Sequence, residues 1–171
     1  MDDQQLWSFG TARLAAMRET LSGKAAELLS RQFKLYRQIK EEHAAIVADI
    51  DAASVCRDCK GQCCLNGKYR INSLDYLARL AEGIPTVADF TCKPLCPYGS
   101  ENGCTMEPGL RPSDCVLFVC DEIDRKLSPQ ARTSLAGLEQ NLRECIQDSS
   151  HLIGEEVGVP LLLWAERNSL S

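Results

Sequence analysis

Histidine is nearly missing from this 171-residue chain, which has it only at His43 and His151. A Ser/His/Asp relay or an imidazole-rich metal site therefore has little to draw on. No run of 18 or more apolar residues occurs, so no membrane span is expected. No Lys/Arg block occurs either, and the net charge is −5. Wholesale nucleic-acid binding through a basic surface is thereby excluded. Phosphate-cradling glycine loops, dinucleotide fingerprints and paired acid/base residues are absent, so no catalytic constellation is visible. The opening Met1-Asp-Asp-Gln-Gln lacks the basic and apolar regions of a signal peptide, which points to the cytoplasm. Internal repeats and low-complexity tracts are missing too.

Cysteine, by contrast, is abundant, with ten in the chain. In a reducing compartment that number points to metal rather than to disulfides. Four of them fall in nine residues, Cys56-Arg-Asp-Cys59-Lys-Gly-Gln-Cys63-Cys64. A Cys-x-x-Cys pair lets two thiolates converge on one ion across a tight turn. Cys63 and Cys64 are neighbours whose side chains diverge, which suggests more than one metal or a multi-iron cluster. A second group follows at Cys92, Cys96, Cys104, Cys115 and Cys120. An all-thiolate set suits zinc or iron–sulfur chemistry and disfavours magnesium, calcium and manganese. Structural zinc usually takes two Cys-x-x-Cys knuckles, and one is present here. The irregular spacing favours an iron–sulfur cluster, with zinc as the alternative.

The rest of the chain reads as mainly α. Trp7, Gly10, Leu14, Met17 and Leu21 recur at threes and fours and predict a helix over about 3–22. A second stripe, Leu29, Phe33, Tyr36, Ile39, His43, Ile46 and Ile50, predicts a helix over about 24–52. The stripe loses phase at Gly23, which predicts a helical hairpin packed on the cysteine module or on a second subunit. A protein partner or homodimer through these helices is one expectation, and His43 is read as a packed or interfacial histidine. Gly67 to Ile71 reads as a short strand. Asn72 or Ser73 caps a helix whose Leu74, Leu77 and Leu80 face inward and which closes at Gly83, with Asp75 as its first-turn acid. Residues 84–114 carry Pro94, Pro97, Gly99, Gly103 and Pro108 and are expected to be irregular, ordered by metal. Ser128-Pro129 starts a helix to about Gln147. Pro160 opens either a helix or a covering apolar strand. Residues 1–52 are then an N-terminal helical extension. Residues 53–171 are a cysteine-cluster domain, with the module at 56–120 under a C-terminal helical cover.

The stretch from Cys56 to Cys120 resembles the cysteine-cluster family with the Cys-x-x-Cys-x-x-x-Cys-Cys signature, described as a zinc- or iron-chelating domain. The signature is complete, and Ser73-Leu-Asp75, Cys96-Pro97, Gly103-Cys104 and Arg111-Pro112-Ser-Asp-Cys115 are similar to its later segments. Gly109-Leu110 departs from the bulkier, more polar residue often found there. The resemblance implies eight metal ligands: Cys56, Cys59, Cys63, Cys64, Cys96, Cys104, Cys115 and Cys120. Cys145 then reads as a core residue on a helix face, and Cys92 as a spare that could substitute. Arg111, Arg57 and Lys60 are candidates to hydrogen-bond sulfurs or offset thiolate charge. For Arg111 the competing reading is a turn-stabilising residue before Pro112, and for Arg57 and Lys60 it is a solvated loop. Three functions follow. The chain is a metal-binding module that presents a surface to a partner, or a redox, electron-transfer or sensing protein. By looser analogy to flagellin lysine N-methylases that carry the same cluster, it is an enzyme or accessory protein.

Overall fold

A computed structural model describes residues 1–58, 62–65, 67–92, 96–100 and 103–170. Cys59, Lys60 and the side chain of Cys92 fall outside that description. The described residues are mainly helical: α1 Asp3–Thr20, α2 Gly23–Ala48, α3 Ala52–Asp58, α4 Ser73–Ala81, α5 Ser113–Leu117, α6 Asp121–Asp124, α7 Pro129–Ile153 and α8 Leu161–Ser169. Among them one two-residue ladder, β1 Gly99–Ser100 against β2 Gly103–Cys104, is antiparallel with Gly99 opposite Cys104. No described helix is long and apolar enough to cross a membrane.

Local chemistry starts the main helices where the sequence predicts. The Asp2 carboxylate accepts from the Gln5 amide at 2.8 Å and the Gln5 side chain accepts from the Asp2 amide at 2.9 Å, a closed capping box. Asn72 and Asp75 make a second box at α4. Ser128 Oγ accepts from the Ala131 amide at 3.1 Å at the start of α7. This helix runs on past the expected Gln147 to Ile153, with Ser149 on its buried face, and stops at Gly154, at φ +78°. α2 is shorter than expected. It ends at Ala48, and Asp51, at φ 53°, redirects the chain into α3. Of the two readings at Pro160 the helix start holds, and the covering strand does not form. Residues 157–159 turn back onto the start of α4 instead, with the Ser73 amide donating to the Val159 carbonyl, the Leu74 amide to the Val157 carbonyl, and a single isolated bridge between Asn72 and Pro160. Pro160 then opens α8.

The expected hairpin of α1 on α2 gives way to a different pairing. α1 lies on α8 and α4, whereas α2 lies along α7 and the 108–110 turn. Each stripe is thus covered from the C-terminal half, and out-of-phase stripes do not have to meet each other. Gly10 makes the α1–α8 approach possible, since a Cβ there would stand 2.9 Å from the Ala165 Cβ. Trp7 meets the rings of Tyr76, Phe90 and Tyr98 edge-on or tilted at centroid distances of 6.0–6.2 Å. This aromatic hub ties α1 to the cysteine-bearing middle. One core runs from Trp7 through Leu74 and Cys96 to Trp164, spanning both predicted parts of the chain.

His43 is buried on the face of α2 that meets α7. Burial lowers its pKa from 6.5, and Glu139 only partly opposes this. The folded chain therefore binds fewer protons at this site than the unfolded chain. Its stability should be full above 6.5 and decline as the pH falls from 6.5 through the lowered folded value. Urea midpoints measured across that window should fall, and His43→Leu should flatten the fall. An unchanged slope in the variant would show that His43 is not the titrating group.

Candidate metal centre

The cysteines reach the centre from separate short segments. Cys63 and Cys64 lie in the 3₁₀ turn Gln62–Cys64. Gly67–Tyr69 form another such turn instead of the expected strand. The turn is closed by the Arg70 amide on the Gly67 carbonyl at 3.0 Å. It is required by proximity, because Gly67 abuts Cys96. A Cβ at Gly67 would lie 2.5 Å from the Cys96 Cβ and 2.8 Å from its Sγ. An extended strand would carry Gly67 away. Cys96 in turn accepts the Gly99 amide on its carbonyl at 2.9 Å. Gly99 pairs across the ladder with Cys104. The Gly67 turn is thereby set against the hairpin that carries Cys96 and Cys104, and Cys64 lies close enough to both to feel their charge.

Cys104 Sγ accepts a hydrogen bond from the Met106 amide at 3.4 Å. Cys115 lies on α5 and Cys120 at the cap of α6. α6 packs on α3, the helix that carries Cys56, so Cys56 is on a helix rather than in the expected turn. Cys96 is buried, Cys64 and Cys120 are half-buried, and Cys56, Cys63, Cys104 and Cys115 reach the surface.

The thiols feel one another. Desolvation, then Cys63, Cys96 and Cys104, push the Cys64 thiol up to about 12. Desolvation raises Cys96, with Cys104 and Cys63 adding to it. Cys115 presents an edge to solvent, yet partial desolvation and then Cys96 and Cys104 raise it as well. Cys63, Cys64, Cys96, Cys104 and Cys115 thus share one neighbourhood, and a cation among them would lower the raised thiols of Cys64, Cys96 and Cys115. Cys63, Cys64, Cys96, Cys104, Cys115 and Cys120 form no disulfide. Among the described residues no three Cys, His, Asp or Glu side chains are drawn tightly enough together to hold a single ion. Cys59, the partner of Cys56 in the Cys-x-x-Cys pair, lies outside them.

Among the described residues, Arg70 is a cation of this neighbourhood that the cysteine pattern does not point to. Its guanidinium donates to the Cys63 carbonyl at 3.4 Å, sits 5.6 Å from the Phe118 ring centroid, and lowers the thiols of Cys96 and Cys115. Arg111 is placed differently from the sulfur-bonding role considered for it. Its Nε donates to the Met106 carbonyl at 3.3 Å, bracing the turn whose amide reaches Cys104. Arg57 donates to Ser54 Oγ at 2.6 Å within α3. Cys145 is buried and donates to the Gln32 Oε1 at 3.1 Å, between α7 and α2 and away from the other thiols. A signal for Arg70 was available: it is the second cation after the signature, following Lys68, and lies three residues beyond Gly67.

Beneath the centre lies a buried polar network. Asp75 accepts from Tyr36 Oη at 2.8 Å, Lys40 Nζ at 3.2 Å, the Asn72 amide at 3.1 Å and the Ser113 amide at 3.2 Å. Lys40 also donates to the Arg111 carbonyl at 2.9 Å and lies 4.1 Å from the Tyr36 ring centroid. Asn72 Nδ2 donates to Ser113 Oγ at 2.9 Å. Asp75 is thus more than the first-turn acid of its helix.

The chain matches no family model, no curated protein and no solved structure. The likeness to the cysteine-cluster family accordingly rests on the cysteine pattern itself.

Proposed function

We propose that this mainly helical chain is a metal-binding protein whose cysteine thiolates hold an iron–sulfur cluster or zinc, in a redox, electron-transfer or interaction role. The observation that carries the reading is the setting of the Gly67 turn against the hairpin that carries Cys96 and Cys104, with Cys64 close enough to both to feel their charge. Thiols gathered from distant parts of a chain and left unoxidised suit a soft metal. Their irregular spacing suits a cluster whose irons are spread, so iron–sulfur is preferred to zinc. The ligand set is the eight cysteines Cys56, Cys59, Cys63, Cys64, Cys96, Cys104, Cys115 and Cys120. The chain's own part is to gather the thiols, offset their charge with Arg70 and shield Cys96 from water. A bound cluster would supply one-electron chemistry, and zinc would supply a structural tie.

Metal analysis with an absorbance spectrum of protein isolated without oxygen tests this. Broad visible absorbance with iron and sulfide supports the cluster, and colourless protein with zinc supports the alternative. Cys115→Ala should lower the metal content sharply, while Cys145→Ala should leave it unchanged. Thiols must lose protons to bind, so metal should also leave as the pH falls. Equal losses at Cys115 and Cys145 would refute the ligand set, and protein without any bound metal would refute the function.

A further inference from the structure

We propose that Asp75 is the positioning residue of the cysteine centre, holding the Cys115-bearing segment in place from beneath. This inference rests on the metal-binding reading. Asp75 is fully buried and takes hydrogen bonds from three parts of the chain. Tyr36 and Lys40 come from α2, Asn72 from the start of α4, and Ser113 from the start of α5. Both carboxylate oxygens lie 3.2 Å from the Ser113 amide, two residues before Cys115.

The grip on that segment is doubled on each side of Pro112. Lys40 reaches past Asp75 to the Arg111 carbonyl, and Asn72 bonds the Ser113 hydroxyl. Residues 111–113 are therefore fixed by four bonds to two helices that carry no cysteine of the centre. α5 has only five residues and cannot hold its own orientation. Its first turn must be anchored from outside, and Asp75 is the group on which the anchors meet. Groups that orient metal ligands without touching the metal are typically worth about 10–100-fold in affinity.

The probe is cobalt(II) added to the metal-free full-length chain, read by its sulfur-to-cobalt absorption. Asp75→Asn keeps the shape but puts an NH₂ where an acceptor oxygen stood. It should weaken cobalt binding about 10–100-fold and remove as much absorption per cobalt as Cys115→Ser does. The double variant should be no weaker than Cys115→Ser alone, since both changes act through one ligand. Tyr36→Phe removes a donor to Asp75 but not the hold on Ser113, so it should lose stability while keeping cobalt affinity. A purely structural role would move both variants alike. Should Asp75→Asn not fold, Ser113→Pro deletes the accepted amide at a first helical position, where proline is tolerated, and should weaken binding to the same extent. Wild-type affinity and spectrum in Asp75→Asn, or additive losses in the double variant, would overturn the proposal. If the unaltered chain binds no cobalt, zinc or iron, the metal reading fails separately. Hydrogen exchange of residues 113–117 in the metal-free chain then decides. In Asp75→Asn, exchange about tenfold faster there, with α7 unchanged, upholds the positioning, and unaltered exchange refutes it.

Discussion

Lys40→Ala should be the most destabilising single change on the surface-to-core lysines and arginines of this chain, costing about 3–5 kcal/mol. Lys40 is 2% exposed and its partner Asp75 is 1% exposed. Bringing both charges out of water is expensive, and their attraction offsets the cost only while both are present. Burial lowers the Lys40 pKa and Asp75 opposes that fall, so the ammonium is held by its partner. Removing it leaves a carboxylate with one donor fewer, an Arg111 carbonyl without its donor, and a void beside the Tyr36 ring. The exposed pair of Arg143 and Glu139 has the same kind of charges at 2.7 Å, with 61% and 44% of their side chains open to water. Arg143→Ala should cost less than about 1 kcal/mol. Urea unfolding of the two variants measures the contrast directly. A loss below about 1 kcal/mol for Lys40→Ala would mean that water or chain relaxation reaches Asp75.

The same lysine marks what the sequence discloses and what it conceals. Ile39, Lys40 and His43 lie three, four and seven residues after Tyr36, so Lys40 lies on the buried stripe by spacing alone. A cation in that phase is a readable sign of a buried counter-charge. Its partner is not readable, because Asp75 is 35 residues away and the pair is made by folding. α1, α4 and the start of α7 were legible because capping and periodicity are local. The pairing of α1 with α8 was not, since no local rule links residues 150 apart. Gly10 gave a partial signal, as a glycine in an apolar stripe marks a close neighbour without identifying it. Within the centre, the thiol pattern was legible from spacing. The turn at Gly67 was misread as a strand because Tyr69 and Ile71 alternate like one, while the contact that requires a turn is with Cys96. α5 and α6 are too short to give a period, and the anchor of α5 on Asp75 is made by folding.

Gly67→Val should dismantle the centre locally while sparing the helices. Gly67 has no unusual φ, so backbone strain does not explain the need for glycine. The reason is space: a Cβ would meet the Cys96 Cβ at 2.5 Å, its Sγ at 2.8 Å and its Cα at 3.0 Å. Two of those atoms are main chain or rigidly attached to it, so a side-chain rotation cannot relieve the contact. Cys96 is also in the core beside Tyr98 and the Trp7 hub, which blocks retreat inward. Either the 67–69 turn lifts away or Cys96 does, and in both cases the Cys63–Cys64 turn separates from the Cys96–Cys104 hairpin. Overpacking of this kind costs about 1–3 kcal/mol. The loss of metal should exceed what that figure alone would give, because two thiol groups part company. Gly137→Ala is the control of opposite sign. Gly137 is in the middle of α7 with open space around it, so alanine there should stabilise by about 0.5–1 kcal/mol and leave metal content alone. Thermal unfolding and metal content of the two variants, measured together, test the idea. Full metal content in Gly67→Val would show that the Cys63–Cys64 turn and Cys96 serve the centre without being in contact.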